Sequence, residues 1–270
     1  MGVVALFPLG YSFFLSLNRW NPLRAFKGME FVGLENYLAS LKDAAFLNSL
    51  EVTLKFVFLV VFLEFFLGLL LAALLYYCSG ATEIFRSVYL LPVSVTPVVA
   101  ALAWRWMYHP RAGIVSFLFS LVGLEPPLFL SDPDLSLVAV ILVDVWKHTP
   151  FVALVLLAGL LGVPQSTCEA ARVDGASESQ LFFHIILPQL RPVIVVVLLI
   201  RTMDAFKTFD SVWMLTQGGP AETTNLLGIL IYKTAFQFFE MGRAASYSWL
   251  MLGIIGSIAL FYLKISNRRE

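Results

Sequence analysis

"EAARVDGASESQLFFHIILPQLRP", Glu169–Pro192, lies between two long apolar runs and has the composition of neither. Its first half is charged and small; its second is apolar and punctuated by His184, Pro188 and Pro192. "EAARVD" is a good helix former, and Gly175 permits a sharp bend. Leu181, Phe182, Ile185 and Ile186 then set an apolar stripe on a resumed helix. Pro188 is expected to stop that helix and Pro192 to open the next segment. The residues predict a helix–turn–helix at a membrane surface, polar side outward. Two uses fit it: an interfacial link between spans, or a short rigid knob seated in a groove on a partner.

The rest of the chain is far more apolar. Of 270 residues, 59% are hydrophobic and 13% charged, with a mean hydropathy of +0.84. Soluble domains average about 45–50% apolar and about 25% charged residues, which places this chain in the membrane class. The 18 basic and 18 acidic residues cancel, so nothing points to nucleic acid. Cys78 and Cys168 stand in no metal-ligand spacing and form no disulfide framework, so no metal is expected.

About 30 Å of hydrocarbon needs some 20 apolar residues of helix. Six segments meet or approach that: Gly2–Leu17, Leu50–Tyr77, Ser87–Tyr108, Leu135–Val163, Pro192–Leu215 and Ala244–Leu263. The first is short, lacks the basic start and cleavage site of a signal peptide, and is expected to be incomplete at its N-terminal end. The 109–133 connection carries "GIVSFLFSLVGL", expected to lie in the interface, and 216–243 opens on the turn cluster "TQGGPAETTN". With six spans both termini face one side, which the basic tail "KISNRRE" marks as cytoplasmic.

Charges fall inside these segments. Arg201, Asp204, Lys207 and Asp210 recur every three residues with alternating sign, and Asp144 and Lys147 repeat the pattern one segment earlier. Residues three apart on a helix can touch, so each charge has an opposite partner within reach. An unpaired charge at mid-bilayer costs about 2.5–3.5 kcal/mol, so these groups must face protein, water or one another. They line a polar pathway between the fourth and fifth segments, or they lock helix to helix. No catalytic residues are expected: there is no His pair at ligand spacing and no GxSxG for an intramembrane enzyme. The internal repeats of a secondary transporter are also absent.

Glu169-Ala170-Ala171, Asp174-Gly175-Ala176, Phe182, Ile185, Leu187-Pro188 and Pro192 resemble the EAA loop of binding-protein-dependent ABC importer permeases. The resemblance runs along nearly the whole chain. It includes "FVGLENY" from Phe31, "FRSVYLLPVSVTPVVAALAWRWMYHPRAGIVSFLFSLVGL" and "FDSVWMLTQGGPAETTNLLGILIYKTAF", the last similar to the sugar-importing maltose and glycerol-phosphate branch. It implies an all-α, polytopic fold of six transmembrane helices, the compact type I permease, as one domain over 1–270 with a cytoplasmic coupling loop at about 165–190. It implies a second related permease subunit, two ATPase subunits and an extracytoplasmic solute-binding protein in a prokaryotic cytoplasmic membrane. ATP and Mg would sit on the ATPase subunits, since no GxxxxGK[ST] phosphate loop occurs here and this chain binds no cofactor of its own.

By the same resemblance Glu169 would meet basic or polar groups of the ATPase, Ala170 and Ala171 would allow close packing, and Gly175 would make the bend. Asp174, Leu187 and Pro188 complete that element. A sugar or oligosaccharide is the implied substrate, with glycerol phosphate or another polar solute, or a secondary transporter, as alternatives. Asp144, Trp146, Lys147, Asp204, Phe206, Lys207, Phe209 and Asp210 are the expected pathway residues. Gly218, Gly219 and Pro220 are the expected contact with the binding protein, unless they only form a turn.

Overall fold

A computed structural model describes residues 2–23, 28–77 and 89–266, and these are helical apart from their connections and one two-residue ladder. α1 (Gly2–Ser16) runs into β1 (Asn18–Arg19), which pairs antiparallel with β2 (Glu30–Phe31), Asn18 opposite Phe31. α2 (Glu35–Ser40) leads into α3 (Ala44–Tyr77). Then come α4 (Leu91–Ser94), α5 (Pro97–Met107), α6 (Ile114–Leu121) and α7 (Pro133–Leu161). α8 (Gln165–Val173) and α9 (Glu178–Leu181) follow, and a π turn over Phe182–Ile186 joins α9 to α10 (Leu187–Gln189). The chain closes with α11 (Arg191–Phe206), α12 (Asp210–Leu215), α13 (Leu227–Tyr232), a second π turn over Lys233–Gln237, and α14 (Met241–Ser266).

α7 is the axis of the bundle. Its start is fixed locally: Pro133 occupies the first turn, and the Asp132 carboxylate accepts the Asp134 N–H at 2.9 Å. In its most apolar window 67% is buried, against 28% in α3 and 22% in α14, so α7 is surrounded by protein while the other two leave an apolar side uncovered. On α3 the buried positions Phe46, Ser49, Thr53, Phe56, Val60, Glu64, Gly68 and Ala72 recur every three or four residues, one stripe down the helix. Phe58, Phe62 and Phe66 point the other way and stay exposed. At Gly68 the two helices approach so closely that a Cβ would stand 2.7 Å from Val152 Cγ1, so only glycine fits.

α11 packs against α3, α7 and α14, α12 packs on α5, and α1 lies along α14. Three buried clusters follow the long axis. Phe46, Leu227, Leu230 and Tyr247 fill one end. Phe56, Val60, Val143, Phe206 and Val212 lie in the middle, and Ala72, Leu156, Leu160, Cys168, Leu181 and Leu190 fill the end that carries Gly175. At the first of these ends Asp43 anchors α14 to the start of α3, accepting from the Tyr247 hydroxyl at 2.5 Å and the Arg243 guanidinium at 2.5 Å. Partial burial pushes the Asp43 carboxyl up, but these hydrogen bonds and the Arg243 charge outweigh it and leave it below its ordinary value.

The expected segments differ in how they are built. Among the described residues three helices, Ala44–Tyr77, Pro133–Leu161 and Met241–Lys264, are long and apolar enough to cross a membrane. The third expected segment is divided at Val95–Thr96, where Pro97 opens a new helix of 11 residues. The fifth is also divided: α11 ends at Phe206 and α12 starts at Asp210. α9 to α10 and α11 form a pair bent by 63° that together reach spanning length. The interface segment is helical over Ile114–Leu121, as its pattern predicts. Cys78, the loop to Arg86, the first two residues of the third segment and the tail from 267 lie outside the described residues, as do Arg24 and Lys27.

Candidate coupling element and intramembrane polar site

The element at the Gly175 end follows α7 after only Gly162–Pro164 and leads through Leu190 into α11, so it is tied directly to two of the bundle's helices. Gly175 takes φ +87°, the left-handed region, and turns the chain sharply between α8 and α9. A clip closes that turn: Arg172 Nε donates to Glu178 Oε1 at 2.8 Å and its Nη2 to Oε2 at 3.3 Å. The Arg172 hydrogen bond holds the Glu178 carboxyl below its ordinary value. α9 starts on a capping box, with the Gln180 N–H donating to Ser177 Oγ at 3.3 Å and the Ser177 N–H to Gln180 Oε1 at 2.8 Å.

Glu169, Ala170, Asp174, Gly175 and Pro188 are exposed and Leu187 is half-buried. Two expectations need correction. Ala171 turns inward and packs with Cys168, Leu181 and Ile186, so of the alanine pair only Ala170 faces outward. Pro188 does not stop the helix: the helical path continues through the π turn and α10 as far as Gln189. The break comes at Leu190. Val173, absent from the expected set, is 88% exposed and gives the tip an apolar side chain.

The charged residues of the bundle pair in a different way from their spacing. Arg201 on α11 reaches across to Glu64 on α3, with Nε 2.7 Å from Oε2 and Nη2 2.8 Å from Oε1. The same Nη2 donates to Asp144 Oδ2 on α7 at 3.1 Å. The three side chains are 3%, 0% and 2% exposed, in that order. His148, one turn beyond Asp144, places Nδ1 3.3 Å from Asp144 Oδ2. Oxygen and nitrogen atoms of Glu64, Asp144 and His148 lie within 4.8 Å of one another. A metal ion does not suit them, because the Arg201 guanidinium already takes the carboxylate oxygens that would ligate it.

Asp144 is thus paired with Arg201 and His148 in place of Lys147, and Arg201 with Glu64 and Asp144 in place of Asp204. One rung of the expected ladder forms: Lys207 Nζ stands 2.8 Å from Asp204 Oδ1, both exposed. Asp210 opens α12 beyond the break. Phe206 is buried in the central cluster and Phe209 is half-buried, stacked on Trp213 at 5.7 Å and tilted against Tyr232 at 5.2 Å. Trp146 meets Trp104 edge-on at 5.6 Å, and Lys147 is buried. Asp204, Lys207 and Asp210 are therefore exposed, while Asp144 and Phe206 belong to the interior.

At the far end the "TQGGP" loop is braced from within. Thr216 and Thr224 hydroxyls meet at 2.6 Å, Thr224 donates to the Gly219 carbonyl at 2.7 Å, Thr223 meets Ser136 at 2.8 Å, and Asn225 donates to Ser49 at 3.2 Å. Gly218, at φ +89°, is enclosed by Asn225, Lys233 and Ile229. Gly219 and Pro220 are half-buried, so Gln217, Ala221 and Glu222 present the loop's outer surface instead. Glu64 was the residue whose role the sequence hid. Its one visible signal was a lone carboxylate deep in an apolar run, which demands a cation from elsewhere.

The profile of the family described as "Binding-protein-dependent transport system inner membrane component" matches residues 64–269. The trehalose/maltose transport system permease protein MalF of Thermococcus litoralis is 36% identical over 271 residues, covering 99% of this chain and 90% of the relative. The sulfoquinovosyl glycerol transport system permease protein SmoG of Agrobacterium fabrum is 32% identical over 273 residues, covering 100% of this chain and 87% of the relative. A bacterial alginate ABC transporter, solved with an alginate-pentasaccharide-bound periplasmic protein, superposes with a TM-score of 0.81 at 25% identity over 87% of this chain and 83% of that one.

Proposed function

The chain belongs to the binding-protein-dependent transport system inner membrane components, a non-catalytic multi-pass permease subunit, and we propose that it forms half of the pathway by which an ATP-driven importer takes up a mono- or oligosaccharide. One observation carries the pathway. Asp204 lies 13 residues beyond Arg191, about 20 Å along the helix and so within a hydrocarbon core of about 30 Å. It and Lys207 are nevertheless exposed. Lipid would penalise both, so this side of α11 faces water and a second permease subunit. The partly exposed Trp146 and the half-buried ring of Phe209 are the apolar faces assigned to stacking on pyranose rings. Asp210 extends the polar side past the end of α11.

The rest of the assembly is inferred in the same way. Glu169, Ala170, Asp174 and Gly175, with Val173 at the tip, dock on an ATPase subunit, and Leu187 and Pro188 support them. ATP and Mg act there, outside this chain. Both termini share the cytoplasmic face with this element, as six spans within one domain require, the broken third and fifth segments counting as spans. Gln217, Ala221 and Glu222 around Gly218-Gly219-Pro220 meet the solute-binding protein at the opposite face.

The test is uptake by the chain reconstituted with its partner permease, ATPases and binding protein, scanning trehalose, maltose, a sulfoquinovosyl glycerol and glycerol phosphate. A sugar should drive ATP-dependent uptake, and Asp204→Asn should lower uptake while leaving basal ATP hydrolysis in place. If glycerol phosphate alone drives uptake, the sugar class is wrong.

A further inference from the structure

Glu64, Arg201 and Asp144 take no part in the coupling surface or the open side of α11, yet among the described ion pairs theirs are the ones that join three membrane helices. Stability is a poor reason for them, since buried ion triads are often matched or bettered by apolar replacements of similar volume. Their best-attested use is to fix register. Register is weakly specified elsewhere on α11. Its first half reads "RPVIVVVLLI", a run of similar aliphatic side chains that can pack in more than one offset, and Val193 faces Gly159, which offers it no side chain to interlock with. α11 is also bounded by breaks in the helical path at both ends, the 63° bend beside Leu190 and the interruption after Phe206. A planar guanidinium seated two-pronged on Glu64 and reaching Asp144 tolerates neither a slide nor a rotation.

We propose that the Glu64–Arg201–Asp144 triad locks α11 to α3 and α7 as one body, so that displacement of the coupling element reaches the pathway side at Asp204. This rests on the importer reading above. Force applied between α8 and α9 enters the bundle through α7 and α11, the two helices that flank the element. Without the lock, α11 would shift alone along its aliphatic face and Asp204, one turn past Arg201, would lose step with α3 and α7. Arg201 is a positioning residue and touches no substrate.

The variant to use replaces the two groups that meet two-pronged, Glu64→Leu and Arg201→Met, and keeps Asp144 for its other neighbours His148 and Lys147. The assembled importer should then melt at or above the wild-type temperature and still hydrolyse ATP, while solute taken up per ATP falls about tenfold, within the usual range of coupling between sites. Spin labels at Phe58→Cys and Val196→Cys, both exposed, in a background of Cys78→Ala and Cys168→Ala, report α3 against α11. The wild-type distance distribution should be the same with and without ATP and vanadate, and that of the variant should shift or broaden. Wild-type uptake per ATP in the variant, a wild-type distance that shifts as much as the variant's, or a melting temperature well below wild type would each overturn the lock. If no sugar is transported by the wild type, the sugar reading fails while the distance comparison still decides the lock.

Discussion

An arginine–carboxylate clip and an arginine–carboxylate triad shape two regions of this chain under opposite conditions. Arg172 and Glu178 clip the bend at Gly175 in water, with side chains 48% and 59% exposed. Arg201, Glu64 and Asp144 meet in the interior with almost no exposure. The chemistry of the contacts is the same, yet water screens the first pair and its geometry is already favoured by the glycine and the capping box beside it. The second has no such support. It replaces hydration entirely, so each member depends on the others. A surface element can lose its clip and keep its shape, whereas the interior cannot lose one charge without stranding another.

That difference is sharpest when a single interior charge is removed. Arg201→Met leaves Glu64 and Asp144 facing each other with only His148 beside them, and should destabilise the chain by about 3–5 kcal/mol. A thermal melt in detergent would register this as a large drop. An unchanged melt would mean that the carboxylates are not held as described. Gly175→Ala comes next. Nothing lies within 4 Å of the added Cβ, so only the backbone resists, and holding a non-glycine residue at φ +87° should cost about 1–2 kcal/mol. Its larger effect should be on solute-stimulated ATP hydrolysis, since the element's tip would tilt while the interior stays intact.

The smallest effect on the fold belongs to the clip. Arg172→Ala should lower the melt only slightly at neutral pH, because both partners are solvated. Its contribution has a definite pH sense: Glu178 is depressed in the folded chain, so the clip's contribution is complete above the ordinary glutamate range and fades as pH falls through the depressed value. A melt series from pH 7 to pH 3 comparing wild type with Arg172→Ala should show the two curves converging at the acid end. Curves that diverge there would reverse the sign assigned to Glu178.

The same contrast explains what could be read from the sequence. The candidate coupling element is contiguous, and its helix, bend and apolar stripe are all local properties of 24 residues, so its course is visible in the sequence. Even there, Ala171 and Pro188 were misjudged, because an inward face and a π turn depend on what packs behind them. The triad joins residues 137 and 57 positions apart. Spacing by three along one segment offered a plausible local partner for every charge, and the helix–helix packing of α3 against α7, set partly by Gly68, overrode it. Only the Lys207–Asp204 rung, near the open end of α11, kept its local partner. Glu64 shows the general point: a charge in an apolar helix announces that a partner exists without saying where.

On the function proposed here, displacement at the Glu169–Gly175 element drives sugar through the side of α11 that carries Asp204. The direct measurement is sugar uptake per ATP hydrolysed in liposomes holding the complete importer, comparing wild type with Glu169→Lys. The wild type should accumulate sugar only when ATP is inside with the ATPases, and the variant should lose at least about tenfold of that coupled uptake while its melt is unchanged. Accumulation driven by an ion gradient without ATP, or a Glu169→Lys variant that couples as well as wild type, would contradict it.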